Sequence, residues 1–161
     1  MELYILRHAV AEQRGAADDA ARALTEPGRR KLARVLERAA QAKVSPSLIL
    51  SSPFRRALET AEIAAKMLHC PKKIALTDVL LPDASPDAFW GELRNHRHES
   101  ALLAAGHEPM LSASAAFLLG TPALQIDLKK AGLLRIDLDH WGARPQGVLR
   151  WMLTPRLAGA D

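Results

Sequence analysis

Four consecutive apolar residues, Leu3-Tyr4-Ile5-Leu6, run directly into Arg7-His8-Ala9. A short apolar run of this length reads as a strand buried on both faces, and such strands belong to parallel sheets covered by helices on either side. The cation and the imidazole then stand where the strand emerges. In open α/β sheets ligands gather outside the carboxyl ends of the strands, so Arg7 and His8 are better placed for chemistry than a similar pair on a solvated helix face.

The rest of the chain repeats the strand and helix alternation. Thr25 precedes Glu26-Pro27-Gly28 as an N-cap does, and Leu32, Val35, Leu36, Ala39 and Ala40 recur at the spacing of one helix face. Before Thr25 lies a polar and Ala-rich loop, and Pro46 closes the helical segment. Residues 47–51 predict a second strand, with Ser52-Pro53 as cap and first position of a helix through about Leu68. Residues 73–76 predict a short third strand and residues 87–97 a helix packed through Phe89, Trp90 and Leu93. Residues 101–105 predict another strand ending in Gly106-His107-Glu108-Pro109, then a helix over 110–119 stopped by Gly120. Residues 133–138 and 148–153 predict two further strands joined through hairpin-loop chemistry at residues 142–147. The pattern is that of a single α/β domain over residues 1–161, a largely parallel sheet between helices with an antiparallel edge.

Composition narrows the functional classes. With 161 residues, 48% hydrophobic and 25% charged, the chain has the makeup of one soluble domain. The net charge of +4 favours acidic or phosphorylated partners, but its cations are dispersed and aromatic residues make up only 4%. That combination argues against a nucleic-acid surface. No apolar stretch reaches the length of a membrane span, and no secretory signal opens the chain. The one cysteine, Cys70, reads as structural and suits a reducing cytoplasm. His69, His96, His98 and His140 lack metal-ligand spacing and read as solvated or structural.

In a parallel sheet the strand ends share one rim. Arg7-His8, Ser51-Ser52 with Arg55 and Arg56 just beyond, and Gly106-His107 then converge beside a helix N-terminus, which is the makeup of a phosphate pocket. Arginine offers a planar, permanently charged fork to phosphate oxygens, and each close contact supplies about 4 kcal/mol of gross attraction at an effective dielectric near 20, before desolvation. Neighbouring cations disfavour imidazolium, so a histidine in this setting keeps the lone pair needed to attack phosphorus.

These segments carry a resemblance. Leu3 to Ala9 (L-x-x-L-R-H-A), Arg22 to Thr25 (R-x-L-T) followed by Gly28, Ser51 to Thr60 (S-S-P-F-x-R-A-x-x-T), Gly106 to Pro109 (G-H-E-P) and the ending Leu149 to Pro155 make the chain similar to the histidine phosphatase superfamily, and within it to the small SixA-type phosphohistidine phosphatases. The resemblance covers nearly the whole chain and implies a phosphoglycerate mutase-like fold. It implies that His8 is the nucleophile, that Arg7 and Arg56 bind phosphate, that His107 is the second pocket histidine, and that Arg22 is a further arginine of the subgroup. Arg55 stays outside the core site and reads as a solvated helix residue. Glu108 reads as a residue that caps or hydrogen-bonds its loop.

The departures are informative. The superfamily triplet is commonly Arg-His-Gly, so Ala9 requires an ordinary backbone conformation at that position. Larger members draw a general acid from an inserted segment, and here only Asp78 and Asp83 lie in that neighbourhood, Asp83 being the candidate. A phosphoramidate leaving group can be protonated before cleavage and depends less on such an acid. The resemblance and the short chain therefore imply hydrolysis of phosphohistidine on a signalling or phosphotransfer protein, through a covalent phosphohistidine and with neither metal nor cofactor. The expected partners are a histidine-containing phosphotransfer domain or similar phosphoprotein, small phosphate esters and phosphate ion. The competing readings are a broad-specificity phosphomonoesterase on the same residues and a non-catalytic phosphate or phosphoprotein binder.

Overall fold

The computed structural model describes residues 1–13 and 18–160. The loop expected before Thr25 therefore includes four residues, 14–17, that lie outside the description. Six strands form one sheet: β1 (Glu2–Arg7), β2 (Leu48–Ser51), β3 (Ala75–Leu76), β4 (Ala101–Gly106), β5 (Leu133–Asp137) and β6 (Val148–Leu153). Their order is β3-β2-β4-β1-β5-β6. Pairings among β3, β2, β4 and β1 are parallel, and β5 runs antiparallel to both β1 and β6.

Period-two alternation on β1 divides the core. Tyr4 and Leu6 face one layer, with Leu32, Val35 and Leu36 of α1 (Glu26–Gln41) and Ala61 and Ala64 of α2 (Arg55–Met67). Leu3 and Ile5 face the other, with Phe89, Trp90 and Leu93 of α3 (Pro86–Asn95) and Leu111, Ala115 and Leu118 of α4 (Met110–Leu118). Residues 3 to 6 are essentially inaccessible, as a strand covered on both faces requires. The three-layer α/β/α sandwich with an antiparallel edge matches the sequence expectation.

Local chemistry sets the boundaries. Thr25 Oγ1 accepts the Gly28 N–H at 3.1 Å and caps α1, with proline in the first turn. Ser85 caps α3 in the same way, so the helix starts at Pro86, one residue before the expected Asp87, and ends at Asn95 rather than 97. Gly120 ends α4 with φ +71°. The third strand shrinks to Ala75–Leu76, because only those residues find partners, Leu50 and Ser51, at the end of β2.

One expectation needs correction. Ser52 and Pro53 do not open α2, whose first residue is Arg55 and whose N-cap, Phe54, makes no side-chain cap bond. The Ser52 hydroxyl instead accepts the Phe54 N–H at 3.3 Å and contacts His107, so this residue belongs to the rim of the sheet. Ala9, by contrast, behaves as expected. Among the described residues, positive φ outside glycine occurs only at Lys43, His69 and Ala131.

Candidate active site

The carboxyl ends of β1 and β4 lie side by side, with Arg7 opposite Gly106 in register. The ladder continues one step past the strands, His8 N–H donating to the Gly106 carbonyl at 3.0 Å. His8 and His107 are thereby delivered to one point, their ring centroids 5.0 Å apart and tilted by 54°. Both are buried, at 8% and 1% exposure.

The protonation pattern of His8 follows from its partner. Nδ1 lies 2.7 Å from the Ala9 carbonyl, which can only accept, so Nδ1 carries the proton and Nε2 keeps its lone pair. Burial pushes the imidazole down to about 4, and the charges of Arg56, Arg7 and Lys130 add to the effect. Desolvation, more than the cations the sequence places there, is the larger cause. Ala9 is itself fixed, its N–H donating to Thr60 Oγ1 at 3.1 Å, while that hydroxyl donates to the Arg56 carbonyl at 2.7 Å. The nucleophile candidate's loop is therefore tied to the first turn of α2.

His107 Nε2 lies 2.8 Å from Ser52 Oγ. The other ring nitrogen, Nδ1, is buried without a partner among the described residues. Phe54 packs edge-on against this ring at 5.2 Å. Burial first, then His8 and Arg56, push the His107 imidazole down to about 3.

Three guanidinium groups surround the pair. Arg7 donates to the Leu128 carbonyl at 2.8 Å. Arg56, 4% exposed, donates to the Asp19 carbonyl at 2.7 Å and to Asp19 Oδ2 at 3.0 Å, with its charge 5.0 Å above the Phe54 ring. Arg22 donates to the Glu12 carbonyl at 2.9 Å and pairs with Asp19 Oδ1 at 2.9 Å. Each arginine retains a buried Nε–H with no partner among the described residues. Buried polar groups are nearly always satisfied, so three such N–H groups around two neutral imidazoles are donors in want of an acceptor, and a tetrahedral oxyanion supplies several.

The structure therefore gathers His8, His107, Arg7, Arg56 and Arg22 around one rim, as the sequence suggested. It does not gather the carboxylates. Asp78 and Asp83 are exposed, in and just after a short helical turn (Asp78–Leu80), and among the described residues neither has an ion pair or hydrogen bond through its side chain. Arg55 is exposed and pairs with Glu59 at 2.8 Å, outside the site as expected. Two contributors, Asp19 and Lys130, carry no signal in the sequence, whereas Ser52 stands on the rim expected of the second strand's end and Glu108 hydrogen-bonds within its loop. Glu108 has one buried oxygen without a partner among the described residues and receives a bond from Ser112 on the other; burial pushes its carboxyl up, against the opposing effects of the Ser112 bond and the Arg7 charge.

Two imidazoles and three guanidinium groups thus stand at the carboxyl rim of the parallel part of an α/β sheet, an arrangement able to hold an oxyanion. The sequence model of the histidine phosphatase superfamily (branch 1) matches residues 3–78. A protein of Picosynechococcus sp. is 36% identical over 150 residues, spanning 91% of this chain and 89% of its own length. Among solved structures, the protein histidine phosphatase SixA complexed with tungstate shares the fold with a TM-score of 0.86 at 24% identity, covering 97% of this chain and 98% of that one. The alpha-ribazole phosphatase from Shigella flexneri does so with a TM-score of 0.75 at 18% identity, covering 96% and 97%. The chain belongs to the histidine phosphatase superfamily.

Proposed function

We propose that the chain is a metal-independent phosphohistidine phosphatase that acts on a histidine-phosphorylated signalling or phosphotransfer protein. The observation that carries this reading is His8, whose Nδ1 is committed to the Ala9 carbonyl while Nε2 keeps a lone pair beside three arginines and His107. Support comes also from tungstate, a tetrahedral oxyanion, in the complex of the SixA relative.

In the proposed reaction His8 Nε2 attacks phosphorus and the P–N bond of the substrate phosphohistidine breaks. The departing imidazole leaves with a proton already gained from solvent, so no strong enzymic acid is needed. Water then attacks the phosphorus held on His8, its proton passes to solvent, and the P–Nε2 bond breaks to release phosphate and neutral His8. Arg7, Arg22, Arg56 and His107 are the fixed donors that stabilise the equatorial oxygens through both steps. Their preorganisation by Asp19, Leu128 and Ser52 supplies the electrostatics that a bound cation supplies elsewhere.

A second reading, hydrolysis of small phosphate esters, is favoured by Glu108, a carboxyl near Arg7 that burial holds toward its protonated form. Asp83 is the alternative acid, and it is exposed. Initial rates on a histidine-phosphorylated protein and on alkyl and aryl phosphates decide between the readings. Faster turnover of the phosphoprotein is expected, and exclusive turnover of the esters would overturn the assignment. Phosphate binding without any turnover would make the chain a binding domain.

A further inference from the structure

Beyond β1 the carboxyl rim continues across β5 and β6. Because β5 is antiparallel to both neighbours, the exit of β6 lies at the same rim as the exit of β1, with Leu6 opposite Leu133 and Leu133 opposite Leu153. Two strand spacings separate those exits, on the order of 10 Å. A cavity of about 370 Å³ opens along this stretch, its wall formed by Val10, Thr154 and Pro155 and its rim by Lys31, Lys129, Lys130 and Arg156.

The cations of this groove are joined to the candidate nucleophile by its own backbone. The Ala131 N–H, one residue past Lys130, bonds to the carbonyls of Arg7 and His8 at 3.1 and 3.2 Å, and Val10 is two residues past His8. All four cations are exposed. Lys129 pairs with Asp127, whereas Lys31, Lys130 and Arg156 have no ion pair among the described residues. On α1, Arg29, Arg30 and Arg34 are each matched by a carboxylate, whereas Lys31 is not. Three of the four cations lining the cavity thus stand without a carboxylate partner among the described residues, beside the loop of the candidate nucleophile.

We propose that this groove docks an acidic segment of the phosphorylated protein, carboxylates lying against Lys31, Lys130 and Arg156 while the phosphohistidine reaches His8. The proposal rests on the phosphoprotein reading above. A single phosphoryl group held at His8 does not extend along the rim, whereas a protein surface does. The apolar wall accommodates the backbone and methylene groups of such a segment, and carboxylates in direct contact with these cations lie well within the Debye length of about 8 Å at physiological salt.

The test is the double charge reversal Lys31→Glu/Arg156→Glu, at exposed positions outside the catalytic machinery. Three substrates are compared: a histidine-phosphorylated domain with carboxylates flanking its phosphohistidine, the same domain with those carboxylates converted to amides, and phosphoramidate. On the acidic domain kcat/KM should fall at least about tenfold, with a smaller fall for Lys31→Gln/Arg156→Gln, and its salt dependence should weaken. Rates on phosphoramidate and on the neutralised domain should match the wild-type chain, and thermal melting should be unchanged. An acidic domain hydrolysed equally well by wild type and variant overturns the groove alone. An equal loss on phosphoramidate, or a loss confined to a small bisphosphorylated ester, also overturns it. A wild-type chain that hydrolyses phosphoramidate but leaves every phosphodomain intact overturns the phosphoprotein reading and the groove with it.

Discussion

Asp19 holds Arg56 at two points, accepting at its backbone carbonyl from Nη1 and at its carboxylate from Nη2, and the other carboxylate oxygen holds Arg22. One acidic residue thus aligns two guanidinium groups of the site while the Nε–H of each has no partner among the described residues. Its charge lowers the cost of burying Arg56, which desolvation alone works against. Asp19→Asn keeps the backbone contact and removes the charge-assisted one. The expected result is a loss of about tenfold to a hundredfold in kcat/KM on phosphoramidate, the scale of one charge-assisted hydrogen bond, with the fold retained. Steady-state kinetics with thermal melting check both parts.

The depressed histidines set the pH behaviour. An ordinary imidazole protonates near 6.5, but burial holds His8 neutral down to about 4. The acid limb of kcat/KM should therefore lie well below pH 6. Stability follows the same window. Between pH 6.5 and about 4 the unfolded chain binds protons that folded His8 and His107 refuse, so the stabilisation is complete above 6.5 and is lost as pH falls through that interval. Urea unfolding at pH 7 and pH 5 should show the decline, and His8→Asn should reduce its slope.

Gly28 is required by space rather than by backbone freedom. A Cβ there would come within 2.3 Å of the Val10 carbonyl oxygen, in the loop that begins at His8. That same carbonyl accepts the Thr25 N–H at 2.9 Å, so neither side yields easily. Gly28→Ala should cost about 1–3 kcal/mol of stability and lower activity by displacing the loop. Chemical denaturation alongside kinetics measures the two effects.

Glu108→Gln separates the two chemistries. If its carboxyl donates the proton to an alkoxide leaving group, the variant loses about a hundredfold in kcat on alkyl phosphates and little on phosphoramidate, whose nitrogen is protonated beforehand. Parallel loss on both substrates would assign Glu108 to the architecture of its loop.

Much of this was readable in the chain because the physics was local. The apolar run at residues 3–6, the Thr25 cap and the helix-face spacing of α1 each reflect contacts set within a few residues. The rim residues His8, Arg56 and His107 stand at strand ends or just beyond them, where period and topology dictate position. Asp19 was not readable, because its role depends on a long-range meeting with α2 that no periodicity encodes. Ser52 is legible as a rim residue but not as a partner of His107: a serine before proline looks like a cap, and only the neighbouring exit of β4 reveals that its hydroxyl contacts His107. The cationic groove was equally hidden, since Lys31, Lys130 and Arg156 are dispersed in sequence and meet only when β6 returns to the rim of β1.

Turnover through a bond between His8 Nε2 and phosphorus passes through an intermediate that can be trapped. Rapid acid-free quenching of the chain with a phosphohistidine substrate, followed by phosphopeptide mass spectrometry, measures this directly. An acid-labile, base-stable phosphate on His8 that is lost in His8→Asn is expected; a phosphate on Ser51 or Ser52 instead, or full turnover by His8→Asn, rules this chemistry out.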